Sequence, residues 1–101
     1  MVKVRAGNVN DFYEGSKKLM TLNMRQVLIV RTDGQFFAVE GRCSHMGIPL
    51  DRGTVFEGKI RCPAHGAIFD LATGKVVQNP QARDIKVYPV TIEGDELFVD
   101  I

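Results

Sequence analysis

Residues 25–40 read Arg25-Gln26-Val27-Leu28-Ile29-Val30-Arg31-Thr32-Asp33-Gly34-Gln35-Phe36-Phe37-Ala38-Val39-Glu40. Two runs of aliphatic and aromatic residues flank an Asp-Gly pair. A two-residue type I′ loop needs positive φ at both positions, which Asp-Gly tolerates, so a hairpin is expected here. The same grammar continues outward. Short strands are expected at residues 2–5, 17–22, 59–62, 67–70, 75–77, 84–90 and 96–99. Turns are expected at Glu57-Gly58, Ala72-Thr73-Gly74 and Glu93-Gly94-Asp95. No window sustains the apolar spacing of an amphipathic helix, although residues 8–14 and 46–51 each have room for one helical turn. Regularly spaced short strands with Gly-rich turns predict an all-β fold, an antiparallel sandwich or partly open barrel.

The chain of 101 residues is expected to form a single domain, 1–101, around one modest core. Hydrophobic residues make up 45% and charged residues 25%, a globular balance rather than a disordered one. Thirteen Lys and Arg stand against twelve Asp and Glu, a net charge of +1. A nucleic-acid footprint needs a pronounced basic stripe, so no nucleic acid is expected as partner. Lys17-Lys18 reads as a solvated strand edge. The start, Met1-Val2-Lys3-Val4-Arg5, lacks the apolar core of a signal peptide, and a spanning helix takes about 20 apolar residues. A soluble, cytoplasmic protein without membrane contact is the expectation.

The chain holds two cysteines and two histidines, all in one arrangement: Cys43-Ser44-His45, sixteen intervening residues, then Cys62-Pro63-Ala64-His65. Three chemistries accept that donor set. A Cys43–Cys62 disulfide leaves both histidines idle and asks for an oxidising compartment. A structural zinc takes two thiolates and two imidazoles, although its usual spacings pair Cys with Cys and His with His. A [2Fe–2S] cluster has two ends, and each loop can give its Cys to one iron and its His to the other. Two neutral imidazoles in place of two thiolates remove about two negative charges, which makes adding an electron easier.

The segment Cys43-Ser44-His45-Met46-Gly47 … Arg61-Cys62-Pro63-Ala64-His65-Gly66-Ala67-Ile68-Phe69-Asp70 … Thr73-Gly74 resembles the Rieske family motif. That motif is C-x-H and C-x₂-H with a trailing G-x-x-F-D and T-G. Gln78-Asn79-Pro80 resembles the family's proline loop. The resemblance implies a Rieske fold: a β-sandwich base and a small cluster-binding subdomain of two loops, about residues 42–80. It implies one [2Fe–2S] cluster per chain, with Cys43 and Cys62 on the buried iron and His45 and His65 on the outer iron. Met46, Ile48, Pro49, Leu50, Pro63 and Pro80 are expected to cover the cluster. Gly47 and Gly66 are expected to bring backbone close to the sulfurs and present N–H donors. Arg42, Asp51, Arg52 and Arg61 read as solvated charges able to steer docking.

Respiratory Rieske subunits have a loop-bracing disulfide where this chain has Ile48 and Ala64. They have Ser and Tyr hydroxyls donating to the sulfurs where it has Ala67 and Phe69. Fewer donors stabilise the electron-rich reduced state less, so a potential near the low end of the Rieske range, about −150 mV, is expected. Terminal Rieske oxygenases carry a second iron on a triad of two histidines and one carboxylate, and both histidines here are committed. The resemblance therefore implies an electron-transfer protein rather than an enzyme. It would be a ferredoxin passing electrons from a flavoprotein reductase to a terminal oxygenase or other acceptor, with no small-molecule substrate. The alternatives are a small Rieske subunit of a larger reductase, such as a nitrite reductase, and a zinc-binding interaction module.

Overall fold

In the computed structural model, which describes residues 1–44, 47–64, 66–78 and 82–101, Asp33 and Gly34 have φ of 54° and 71°. The loop they form sets Thr32 opposite Gln35, the expected hairpin. Among the described residues eleven strands form: β1 (Lys3–Asn8), β2 (Lys17–Leu22), β3 (Arg25–Thr32), β4 (Gln35–Glu40), β5 (Thr54–Phe56), β6 (Lys59–Arg61), β7 (Ile68–Asp70), β8 (Val76–Gln78), β9 (Val87–Tyr88), β10 (Val90–Glu93) and β11 (Glu96–Asp100). They make three antiparallel sheets, ordered β1-β11-β10, β2-β3-β4-β9 and β5-β6-β7-β8. None closes into a barrel. Among the described residues there is no α-helix, and no helix is long and apolar enough to cross a membrane.

The second sheet is the middle layer. From β3, Val27 and Ile29 face one cluster with Phe12, Leu97 and Val99. Leu28 and Val30 face the other, with Leu50, Ile60, Phe69 and both cysteines. All four are fully buried. A strand covered on both faces has no polar side to present, which is why residues 27–30 form an unbroken apolar run instead of alternating. Burial of such a side chain is worth about 1.5–3 kcal/mol, so β3 is the main anchor for both outer layers.

Several expectations need correction. The single strand expected over residues 84–90 is two strands in different sheets. β9 pairs with β4, and β10 pairs with β11. Pro89 lies between them and has no N–H for a ladder, so the chain changes sheets there; its carbonyl accepts the Asp100 N–H at 3.0 Å. β5 was not expected; it pairs with β6 across the Glu57-Gly58 turn. The Asn23-Met24 turn also carries no Gly, yet both residues have positive φ, 49° and 66°. The helical turns are three-residue 3₁₀ pieces at Val9–Asp11 and Leu50–Arg52. Tyr13 is 77% exposed.

Glu14 braces the far end of the β3–β4 hairpin, accepting the N–H groups of Asp33 at 2.6 Å and Gly34 at 3.1 Å. These bonds, Gly34's first, hold its carboxyl below the usual carboxylate range, with Arg31 adding to the effect. A depressed folded pKa means the contribution is present above the unfolded value and fades as pH falls through the folded one. The stability difference between the protein and its Glu14→Gln variant should therefore shrink as pH falls below the unfolded value of 4.5. Urea midpoints at neutral and acid pH check this; a difference constant with pH counts against it.

Candidate metal centre

The two cysteines sit on loops leaving the same end of the layered sheets. The first loop follows β4. Arg42 and Pro49 bridge its neck, the Cys43 N–H donates to Ile48 O at 2.7 Å, and the Gly47 N–H donates to Cys43 O at 2.8 Å. The second joins β6 to β7. There the Cys62 N–H donates to Ala67 O at 2.7 Å, and the Gly66 N–H donates to Cys62 O at 3.1 Å. Each cysteine thus bonds to the residues four and five positions ahead in the same way. The glycine four positions on has φ of 68° in one loop and 73° in the other. The loops repeat one backbone pattern around two different cysteines.

That geometry explains the glycines differently from the sequence reading. The Gly47 and Gly66 N–H groups are taken by the cysteine carbonyls. The glycines are needed because the turn requires a left-handed residue.

Both cysteines enter one apolar cluster, Cys43 at 2% and Cys62 at 1% exposure. Cys62 is a thiol, and no bridge joins it to Cys43. Two buried thiols on matched loops suit a shared thiophilic centre, whose binding offsets the cost of holding thiolates in an apolar site. Around them Leu50, Ala67 and Phe69 are fully buried, Ile48 packs on the same cluster, and Ala64 and Gly47 are exposed. The expected ligands His45 and His65, and the neighbours Met46 and Pro80, lie outside the described residues.

The trailing motif residues act through the backbone. Asp70 Oδ1 accepts the N–H groups of Ala72 and Thr73 at 2.9 and 3.1 Å, and Asp70 O accepts the Gly74 N–H at 2.8 Å. They shape the β7–β8 turn. Gly74 then meets the segment after the proline loop, donating nothing further but accepting the Ile85 N–H at 2.8 Å. A Cβ on Gly74 would lie 2.0 Å from Ile85 O, so only glycine fits.

Sequence reasoning missed the clamp on that segment. Ser44 Oγ accepts the Arg83 N–H at 2.9 Å and donates to the Arg83 carbonyl. Asp84 Oδ1 accepts the Val76 N–H at 2.9 Å. Ala82 packs in the cluster with both cysteines. Nothing local in the sequence joins positions 39 apart. Ser44→Ala should lower stability by about 1 kcal/mol and speed exchange of the Arg83 amide roughly fivefold. Amide exchange by NMR checks this; unchanged exchange at Arg83 would remove the clamp.

Two arginines lie on the loops. Arg42 donates from Nε to Gln26 Oε1 and from Nη1 to Gly47 O at 2.8 Å. The Arg61 guanidinium lies against Gly66, where a Cβ would come within 3.3 Å of Nε and Nη2. A cavity of about 490 Å³, bounded by Arg52, Thr54, Arg61 and Pro63, opens beside the second loop.

Comparison with known proteins follows the same lines. A family model described as the Rieske [2Fe-2S] domain matches residues 2–89. The chain is 33% identical over 98 residues to apoptosis-inducing factor 3 of Homo sapiens, a match covering 97% of this chain but 16% of that protein. It is 33% identical over 101 residues to the biphenyl dioxygenase ferredoxin subunit of Pseudomonas sp. (strain KKS102), covering 99% and 93% of the two chains. Among solved structures, the ferredoxin of carbazole 1,9a-dioxygenase from Nocardioides aromaticivorans IC177 superposes with a TM-score of 0.91 at 28% identity, covering 98% and 97%. A chain from the complex of reduced oxygenase and oxidised ferredoxin in carbazole 1,9a-dioxygenase gives 0.89 at 25%, covering 97% and 92%.

Proposed function

This chain belongs to the Rieske [2Fe–2S] domain family, and from that premise we propose that it is a ferredoxin, a one-electron carrier between a flavoprotein reductase and a terminal oxygenase. The observation that carries this reading is the pair of matched loops that bury Cys43 and Cys62 together. Near full-length similarity to a dioxygenase ferredoxin subunit supports it. So does the likeness to one chain of a ferredoxin–oxygenase complex.

On this reading Cys43, Cys62, His45 and His65 hold the cluster, which when bound supplies reversible one-electron chemistry. The chain's own contribution is packing and position. Leu50, Ile60 and Phe69 keep water from the cysteines. Ser44 ties the segment after the proline loop to the first cysteine loop. The exposed positions Gly47, Pro63 and Ala64 leave the loop tips open to a partner. The protein is not itself an enzyme, acts as one domain over residues 1–101, and works in the cytoplasm.

The test is direct. The purified protein should be red-brown, contain iron and acid-labile sulfide in equal amounts, and show a low-g-average EPR signal after dithionite. A colourless protein holding zinc overturns the reading in favour of a structural module. A second reading, a Rieske subunit of a larger reductase, draws on the match inside the much longer human protein. Co-purification with a larger oxidoreductase chain would favour it.

A further inference from the structure

Resting on the carrier reading, we propose that the protein docks through an arginine collar around its cysteine loops, onto a redox partner that presents Asp and Glu carboxylates. The net charge of +1 conceals an uneven distribution. Five of the seven arginines, at positions 25, 42, 52, 61 and 83, lie on or beside the cysteine loops. Arg42 bonds the first loop and Arg61 lies against the second. Arg52 lines the cavity next to Arg61. The backbone of Arg83 is held by Ser44, which follows Cys43. Arg25 and Lys86 share a cleft of about 330 Å³ with Arg42. All six of these cations are exposed.

Among the described residues the carboxylates of this region form no ion pair with these cations. Glu40, which lines the same cleft as Arg25, Arg42 and Lys86, accepts the Lys86 backbone N–H at 3.0 Å, and Asp84 accepts that of Val76 at 2.9 Å. Asp51 stands beside Arg52 in a cavity otherwise walled by apolar residues such as Ile48, Pro49 and Pro63. Among the described residues the ion pairs are Lys3–Glu93 and Arg5–Glu96, both on the β1-β11-β10 sheet. Four other acids gather elsewhere. Glu14 caps Asp33 and Gly34, Asn8 caps the turn holding Asp11, and the Val9 N–H reaches Asp95 O. That end carries Asp11, Glu14, Asp33 and Asp95 against Arg31 and Lys18.

Exposed Gly47, Pro63 and Ala64 with arginines on both cysteine loops have the composition of a protein interface. Guanidinium forks bind carboxylates bidentately, which a lysine rim would not do. The polar cavity between Arg52 and Arg61 is where a partner carboxylate would seat.

The test maps the collar on the ¹⁵N-labelled holoprotein without electron transfer. Hexacyanochromate(III), a redox-inert paramagnetic anion, should broaden the amides of Arg25, Thr54 and Lys86 about tenfold more than those of Asp11, Asp33 and Asp95. Octaglutamate should shift the same three amides. The Arg52→Gln/Arg61→Gln variant should bind it about tenfold more weakly at low salt. Lys3→Gln/Lys18→Gln removes the same net charge and should change binding less than about twofold. Equal effects of the two variants, strongest broadening at another face, or tighter binding of an octathymidylate than of octaglutamate would overturn the collar. The hexacyanochromate map needs no variant to fold. Failure of the carrier reading appears separately, as a sample without visible absorption or EPR signal, whatever the map shows.

Discussion

Cys62→Ser is expected to strip the centre from essentially every molecule, abolishing the visible absorption and the EPR signal together. The substitution is nearly isosteric, so packing around the site changes little. The chemistry changes completely, because a serine hydroxyl does not ionise near neutral pH and an alcohol is a poor ligand for iron. Position 62 is 1% exposed, inside the cluster of Leu50, Ile60 and Phe69. A hydroxyl there has no water to replace the lost bond, and an unsatisfied one costs about 1–3 kcal/mol. A group that binds only the folded state also adds its binding free energy to stability. The denaturation midpoint should therefore fall by the equivalent of about 3 kcal/mol or more. Cys43→Ser should behave alike, since its loop repeats the same bonds. Metal and sulfide analysis with circular dichroism checks this. A folded Cys62→Ser protein with full iron and sulfide would remove Cys62 from the ligand set.

How much was legible in the sequence follows from the range over which each signal acts. Asp33-Gly34 announces its hairpin because two adjacent residues determine the turn. The run of residues 27–30 announces a buried strand, but not that Val27 and Leu28 would face different clusters, which depends on layers built from distant segments. Pro89 was visible as a residue without an N–H, yet its role as the point where the chain changes sheets depends on where β4 and β11 lie. At the site, the cysteine spacing was readable since loop and ligand are contiguous. Gly47 and Gly66 stood out beside the ligand spacing, but that their N–H groups go to the cysteine carbonyls depends on how each loop folds back on itself. Ser44 and Arg83 gave no signal at all. Arg42, Arg52 and Arg61 were read as able to steer docking, but that Arg25, Arg83 and Lys86 stand with them was hidden by the balanced charge count, which sums over surfaces that the fold separates.

Ala67→Ser together with Phe69→Tyr is expected to raise the reduction potential by on the order of 100 mV, from a starting value near the low end of the Rieske range, about −150 mV. Both positions are fully buried in the cluster that contains the two cysteines. Ala67 O accepts the Cys62 N–H at 2.7 Å, and Phe69 stands opposite Ile60 between β6 and β7. A hydroxyl added at either place cannot reach bulk water. It bonds to sulfur or goes unsatisfied, and these outcomes separate by experiment. A bond to sulfur is stronger when the sulfur is electron-rich, so it favours the reduced state. A differential of about 1.4 kcal/mol corresponds to about 59 mV for one electron, and two such bonds give the figure above. An unsatisfied hydroxyl leaves the potential where it was and lowers stability by about 1–3 kcal/mol at each site. Potentiometry followed by EPR, with a denaturation curve on the same variants, distinguishes the cases. A potential unmoved alongside a lower midpoint would show that positions 67 and 69 do not face the sulfurs. A parent potential above about +100 mV would mean that other donors already stabilise the reduced state, and the low-potential expectation would fall with it.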